Sequence, residues 1–291
     1  MGEKIIVTHM APDLDAVTAC WLIKKFWPHW ENSRIDFAPA GKTLNNQSVD
    51  ADPNVIHVDT GLGRFDHHQL TAKTCASSLV LKHLVDNRRI GKKDKQALER
   101  LVEVVRKIDN FEDFFWEKPE SDRYDLFLPM ILDNLKHSGK TNDLELISIG
   151  MIILDAVLRG LKEKIAAEKE INKGQEFETI WGRSLGVESQ ISRISKLAQK
   201  KGYVLVVRKD GKTGLVSVKC QPRDDLDLKP AYKALKKADP RAGWFFHQSR
   251  HMIINGSIHN PEVKPSSLSL KELIEILKEV KGGVIKNASG G

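Results

Sequence analysis

Cysteine is scarce in this chain. Cys20, Cys75 and Cys220 are its three, widely spaced, and no two form a CxxC pair. That excludes a disulfide framework and a cysteine-type zinc site, and it fits a reducing compartment. Long apolar runs are missing as well. The longest, residues 147–158, is broken by Asp155 and is too short to span a bilayer. The opening residues MGEKIIVTH lack the apolar stretch of a secretory signal, so the reading expects a cytoplasmic protein with no membrane contact. There is no internal repeat and no low-complexity tract, which excludes repeat architectures.

What is present is the composition of a globular protein. The chain has 291 residues, 41% of them hydrophobic and 29% charged, which is long enough for two domains. A net charge of +7 suits a polyanionic partner, and it suits a lysine-rich helical surface equally well.

Residues 55–69, VIHVDTGLGRFDHHQ, organise the chain. They read as an apolar strand carrying Asp59 at its end, a glycine-punctuated turn, then Asp66, His67 and His68 in a short fourth strand or strand end over 64–68. Open α/β sheets bind ligands beyond the carboxyl ends of their strands. Carboxylates and imidazoles gathered there need a counter-charge, because unpaired buried charge is costly.

The first strand, residues 4–8, delivers His9, and Asp13 and Asp15 follow on the loop into a helix over 16–26. Asp15 also fits a helix cap and Asp13 an Asx turn, but neither role accounts for His9 beside them. A second strand falls at 34–40 and a third at 54–60. The small residues Ala76, Ser77 and Ser78 open a helix over 76–85, whose N-terminus either receives a phosphate oxygen or simply packs closely. A strongly amphipathic helix over 92–108 presents Leu98, Leu101, Val104, Val105 and Ile108 on its apolar face and runs into Asp109. A carboxylate at a helix C-terminus opposes the dipole. Either a metal or a turn-forming Asp-Asn pair explains it.

Helices over 122–137 and 143–171 come next, then a strand at 175–181 and a helix at 188–201. The rest reads as a hairpin over 203–218, a helix at 230–238, a second hairpin over 243–256, a helix at 268–280 and a polar tail from 282. The expected fold class is therefore α/β. A parallel-sheet metal-binding domain with a helical connector spans 1–172, and a smaller α+β substrate-contact domain spans 173–281.

Collected, His9, Asp13, Asp15, Asp59, Asp66, His67, His68 and Asp109 are more ligands than one ion needs. Mixed Asp/His ligation without cysteine suits two divalent ions, Mn²⁺ first, with Mg²⁺ or Co²⁺ compatible. Such a pair supports in-line phosphoryl displacement by water.

HMAPDLDA, the lone Asp59, DHH at 66–68 and the later Asp109 resemble the four motifs of the DHH phosphoesterase superfamily. VDTGLGRFDHHQ, RKIDN and GWFFHQSRHMIING are similar to stretches of the melanocyte-proliferating-gene family of metal-dependent exonucleases within it. HMAPDLDA stands closer to the general DHH pattern, and the second half lacks the GGGH-type motif of the usual associated domain.

The resemblance implies that His9, Asp13 and Asp59 hold one ion. Asp15, Asp59, His67 and Asp109 hold the other, with Asp59 bridging. His68 then faces the phosphate, and Asp66 orients a ligating imidazole. Arg250, His247 and Ser249 on the second hairpin are the candidate substrate contacts, with Arg223 and Lys229 behind them. The implied activity is a manganese-dependent 3′–5′ exonuclease or phosphodiesterase on single-stranded RNA or short oligonucleotides. The alternative is a small-molecule phosphohydrolase acting on pyrophosphate, a nucleotide or a cyclic dinucleotide.

Overall fold

The computed structural model describes residues 2–256, 260 and 262–284. The chain forms two compact units, Met1–Lys162 and Glu163–Gly291.

In the first unit, strands β1 (Ile5–His9), β2 (Arg34–Ala38) and β3 (Val55–His57) make a parallel sheet in the order β2-β1-β3. Ile6, Val7 and Ile56 are buried, as parallel strands covered by helices require. Helix α1 (Leu14–Phe26) is buried from Leu14 to Ile23 and packs on α2 (Ala76–Asp86) and α3 (Lys92–Asp109). Two short 3₁₀ turns, Glu112–Phe115 and Asp122–Tyr124, lead to α4 (Leu128–His137). Helix α5 (Asp143–Ile171) begins in this unit and ends in the next.

The second unit is a six-stranded sheet in the order β4-β5-β6-β7-β9-β8. Its strands are Gln175–Thr179, Gly182–Glu188, Leu205–Lys209, Val216–Cys220, Trp244–Phe246 and Met252–Asn255, numbered β4 to β9. Only β5 and β6 pair in parallel; the other neighbours are antiparallel. Helices α6 (Ile194–Lys200), α7 (Lys229–Ala238) and α8 (Leu270–Glu279) complete the unit. Successive residues of β6 feed opposite cores. Leu205 and Val207 join a cluster with Leu235, Leu273 and Leu277, while Val206 joins Ile171, Ile194 and Ala198. Period-two alternation with both faces covered explains an unbroken apolar strand.

Several expectations are corrected. Residues 64–68 form no strand; Asp66 N–H donates to the Gly63 carbonyl in a turn. Residues 122–137 are not one helix, because residues 125–127 separate the 3₁₀ turn from α4, with Pro129 in the first turn of α4. Strand β5 occupies residues given no element between the expected strand at 175–181 and helix at 188–201, and α6 starts only at Ile194. Val104 is 47% exposed although it sits on the apolar side of α3. The expected tail begins in order: Val284 bridges Leu226, and the Gly283 carbonyl accepts from Asp227 N–H at 2.8 Å and from the Trp181 indole at 3.0 Å. Residues 285–291 lie outside the described residues. Among the described residues, no helix is long and apolar enough to cross a membrane.

Candidate metal centre

Three chain segments meet beyond the β1 and β3 ends. His9 is the last residue of β1, and Ala11 then turns the chain with φ +52°. Asp13 caps α1, its Oδ1 accepting from the backbone N–H groups of Asp15 and Ala16 at 2.9 and 3.0 Å. Asp15 therefore lies in the first turn of α1 and not on the loop. It is buried, and its carboxylate accepts from Ala76 N–H at 2.6 Å and Ser77 N–H at 3.0 Å. This carboxylate occupies the N-terminus of α2 that the sequence offered to a phosphate.

Asp59 stands two residues past β3 in the left-handed region, φ +55°, with its N–H donating to the Phe65 carbonyl. That conformation costs about 1–2 kcal/mol away from glycine, least for Asp and Asn. Gly61 has φ +80°, and a Cβ on Gly63 would meet Val49 at 2.4 Å, so this turn needs both glycines.

The ligand-type atoms converge on Asp59. His9 Nε2 lies 3.3 Å from its Oδ2, and His67 Nε2 lies 3.3 Å from its Oδ1 and 3.6 Å from Asp109 Oδ2. Three sets each gather donor atoms within 4.8 Å: His9, Asp13 and Asp59; Asp15, His67 and Asp109; Asp59, His67 and His68. The geometry thus brings together all six sequence-expected ligands.

Two details bear on whether a cation suits this place. Asp59 Oδ1 is buried without a hydrogen-bond partner, since the His67 edge approaches without donor geometry. An orphaned buried oxygen calls for an explanation. His9 Nδ1 lies 2.8 Å from the Met10 carbonyl, which fixes the proton there and leaves Nε2 a lone pair aimed at the cluster. That is how metal-ligating histidines are held. The donor set fits a divalent cation.

Charge states agree. Burial would raise the Asp59 carboxyl, but the His67 and His9 imidazoles hold it well below the usual carboxylate range. Burial lowers His9, yet Asp59, Asp13 and the Met10 carbonyl outweigh it and raise the imidazole to about 9. Asp59 above all raises His67. Burial, with Asp59 and Asp109 nearby, pushes Asp15 up. Burial likewise lifts Asp109 to about 6, against the pull of His67. Without a cation, imidazolium protons supply the positive charge that the carboxylates require.

The imidazole that Asp66 meets is His68 and not His67. Asp66 Oδ1 lies 2.7 Å from His68 Nδ1, and its Oδ2 accepts from Leu62 N–H at 2.7 Å. His68, mostly exposed, lines a cleft of about 620 Å³ together with Asp13, Asp15, His67 and Asp109. Asp66 thus holds the more exposed histidine of the motif.

His247, Ser249 and Arg250 share the β8–β9 turn of the second unit. His247 Nδ1 is 2.9 Å from Ser249 Oγ, and the Arg250 guanidinium donates to Asp227 at 2.6 Å. Arg223 is similarly held by Asp225. The sequence reading passed over two features. One is an aromatic run, Phe111, Phe114, Phe115 and Trp116, just after Asp109; four aromatics within six residues beside a candidate ligand were the available signal. The other is a groove of about 870 Å³ in the second unit, where Arg193, Lys196, Lys200, Lys219 and Arg223 come together.

No family model and no curated protein matches the chain. Solved structures with some likeness include an uncharacterized protein from Helicobacter pylori G27, at 14% identity and TM-score 0.29, covering 96% of this chain and 99% of that one. Another is the DHH domain of a member of the s1p family of ribosomal proteins, at 13% identity and TM-score 0.34, covering 96% and 88%. A third is an exopolyphosphatase-related protein from Bacteroides fragilis, at 9% identity and TM-score 0.26, covering 94% and 90%. Likeness at this level carries no weight for fold or activity.

Proposed function

We propose that the chain is a metal-dependent phosphohydrolase of the DHH type, acting on the phosphodiester bonds of single-stranded RNA or short oligonucleotides. The carrying observation is Asp59, whose two oxygens face two imidazoles while one oxygen lacks any hydrogen-bond partner. His9, Asp13 and Asp59 would hold one ion, and Asp15, Asp59, His67 and Asp109 a second, with Mn²⁺ the best suited to this donor set. Bound divalent ions supply Lewis acidity and an activated water.

The chain's own residues do the rest. Asp66 fixes the His68 tautomer, keeping the proton on Nδ1. His68 Nε2, once protonated, donates to the leaving oxygen. Arg250, His247 and Ser249 serve substrate binding in the second unit, Arg250 by exchanging Asp227 for a phosphate. The cation-lined groove of that unit, with no carboxylate among its lining residues, favours a polyanion over a small phosphate ester.

The test is Mn²⁺-dependent hydrolysis of end-labelled single-stranded RNA beside Asp59→Ala. The expected result is a product ladder that falls by about 10³-fold or more in the variant. Intact metal binding without RNA cleavage would move the assignment to pyrophosphate, nucleotides or cyclic dinucleotides.

A further inference from the structure

The segment after Asp109 exposes aromatic surface beside the cleft. Phe111 is 70% exposed, Phe114 69% and Phe115 88%. Behind them Trp116, Tyr124 and Phe127 form a ring cluster with centroids 5.1–6.4 Å apart. Phe114, Trp116, Tyr124 and Phe127 line a pocket of about 320 Å³. That pocket shares Asp113, Phe114 and Met130 with the cleft that His67, His68 and Asp109 line. It is therefore continuous with the metal-type cluster.

Two observations say that this surface meets a ligand. Phe111 directly follows Asn110, the C-cap of α3, and adopts φ +59° and ψ +23°. Helices ordinarily place glycine at that position, and a bulky residue there is strained. With its ring mostly exposed, Phe111 gains no burial in return. Asp113, shared by both cavities, keeps a buried Oδ1 that has no hydrogen-bond partner. A ligand N–H would satisfy it.

The cleft also disfavours a condensed inorganic phosphate. Among its lining residues Lys136 is the only lysine or arginine, and Asp133 pairs it at 2.9 Å. One phosphate at the metal cluster and an aromatic group in the side pocket fit this lining better. Aromatic faces flanking an amine acceptor recognise a nucleobase.

We propose that the pocket of Phe114, Trp116 and Tyr124 holds a base of the substrate, with Asp113 accepting from its amine. The proposal rests on the phosphoesterase reading above. It makes the substrate a nucleotide or oligonucleotide end and excludes pyrophosphate.

The test is equilibrium binding of AMP and of ribose 5-phosphate, which lacks the base, to the full-length protein with Mn²⁺. AMP binds about 10-fold tighter or more. Trp116→Ala and Tyr124→Ala, which line the side pocket and not the cleft, erase that preference and leave ribose 5-phosphate binding unchanged. Phe111→Gly raises Tm, because it relieves the left-handed strain, and keeps the AMP preference, because Phe111 lies outside the side pocket. Equal binding of the two ligands by the wild type overturns the proposal, as does a parallel loss of both in the variants. Concentration-dependent self-association through the patch, without AMP preference, overturns it too. RNA cleavage without AMP preference sinks the pocket alone. AMP preference without any hydrolysis sinks the phosphoesterase reading and leaves a nucleotide-binding pocket.

Discussion

Both units bury aspartates, and Asp239 and Asp59 are used in opposite ways. Asp239 in the second unit accepts from Ser266 Oγ, Ser267 N–H and Ser267 Oγ at 2.8–3.2 Å. Burial alone would raise its carboxyl; the hydrogen bonds from Ser267 and Ser266 hold it low. Its charge is answered locally, and it ties the 266–267 segment to the end of α7. Asp59 has no such donors: imidazole edges face it, other carboxylates crowd it, and one oxygen is unpaired. A buried carboxylate satisfied by its own chain holds a fold together. One left short of donors is a place for a cation.

The largest effect separates these two residues. Asp239→Ala strands three donors and should destabilise the protein by about 2–4 kcal/mol in urea unfolding. Asp59→Ala in metal-free protein at pH 9 should cost clearly less than that, because the imidazolium protons that answer its charge are being lost there. Equal losses for both would mean that Asp59 is structural as well.

The next effect is pH dependence. Metal-free protein binds extra protons when folded, since His9 is raised to about 9, His67 is raised, and Asp15 and Asp109 are raised, Asp109 to about 6. Stability from the two histidines is complete below about pH 6.5 and is lost as pH rises through their folded values. The raised carboxyls push the same way at lower pH, so metal-free Tm should fall from pH 6 to pH 9. The depressed Asp59 acts only below its ordinary range and does not offset this. Saturating Mn²⁺ should flatten the curve, because the ions replace the protons. A metal-free Tm that rises over this interval would break the account.

The smallest effect belongs to the basic groove. Lys196→Glu with Lys200→Glu should weaken binding to long RNA and reduce the salt slope by about one for each lost phosphate contact. Cleavage of a dinucleotide should hardly change. Equal loss on both substrates would remove the groove from the RNA path.

The candidate metal centre was largely legible in the sequence because its residues come in short clusters: HMAPDLD, then VDTGLGRFDHH, then IDN. Strand ends and helix caps fix such residues locally, so spacing carries the information. Asp15 shows where that reasoning fails. As a cap candidate it looked local, yet it bonds Ala76 and Ser77, 61 and 62 residues away. Asp66 shows a similar limit: adjacency to His67 and His68 does not say which imidazole it meets, and it meets His68. The supposed strand over 64–68 had only Phe65 as a strand-favouring residue and no partner strand, and turn hydrogen bonds prevailed. The aromatic pocket and the basic groove escaped because no single period or motif marks them. The groove forms only when distant residues such as Arg193 and Lys219 converge, and the pocket when the segment 108–130 folds back on itself.

The most direct test is a count of tightly bound Mn²⁺ by equilibrium dialysis with electron paramagnetic resonance, on wild type and Asp59→Ala. The account predicts two ions per chain with a spin-coupled signal, and loss of the coupling together with at least one ion in the variant. One uncoupled ion in the wild type, or two in Asp59→Ala, would contradict it.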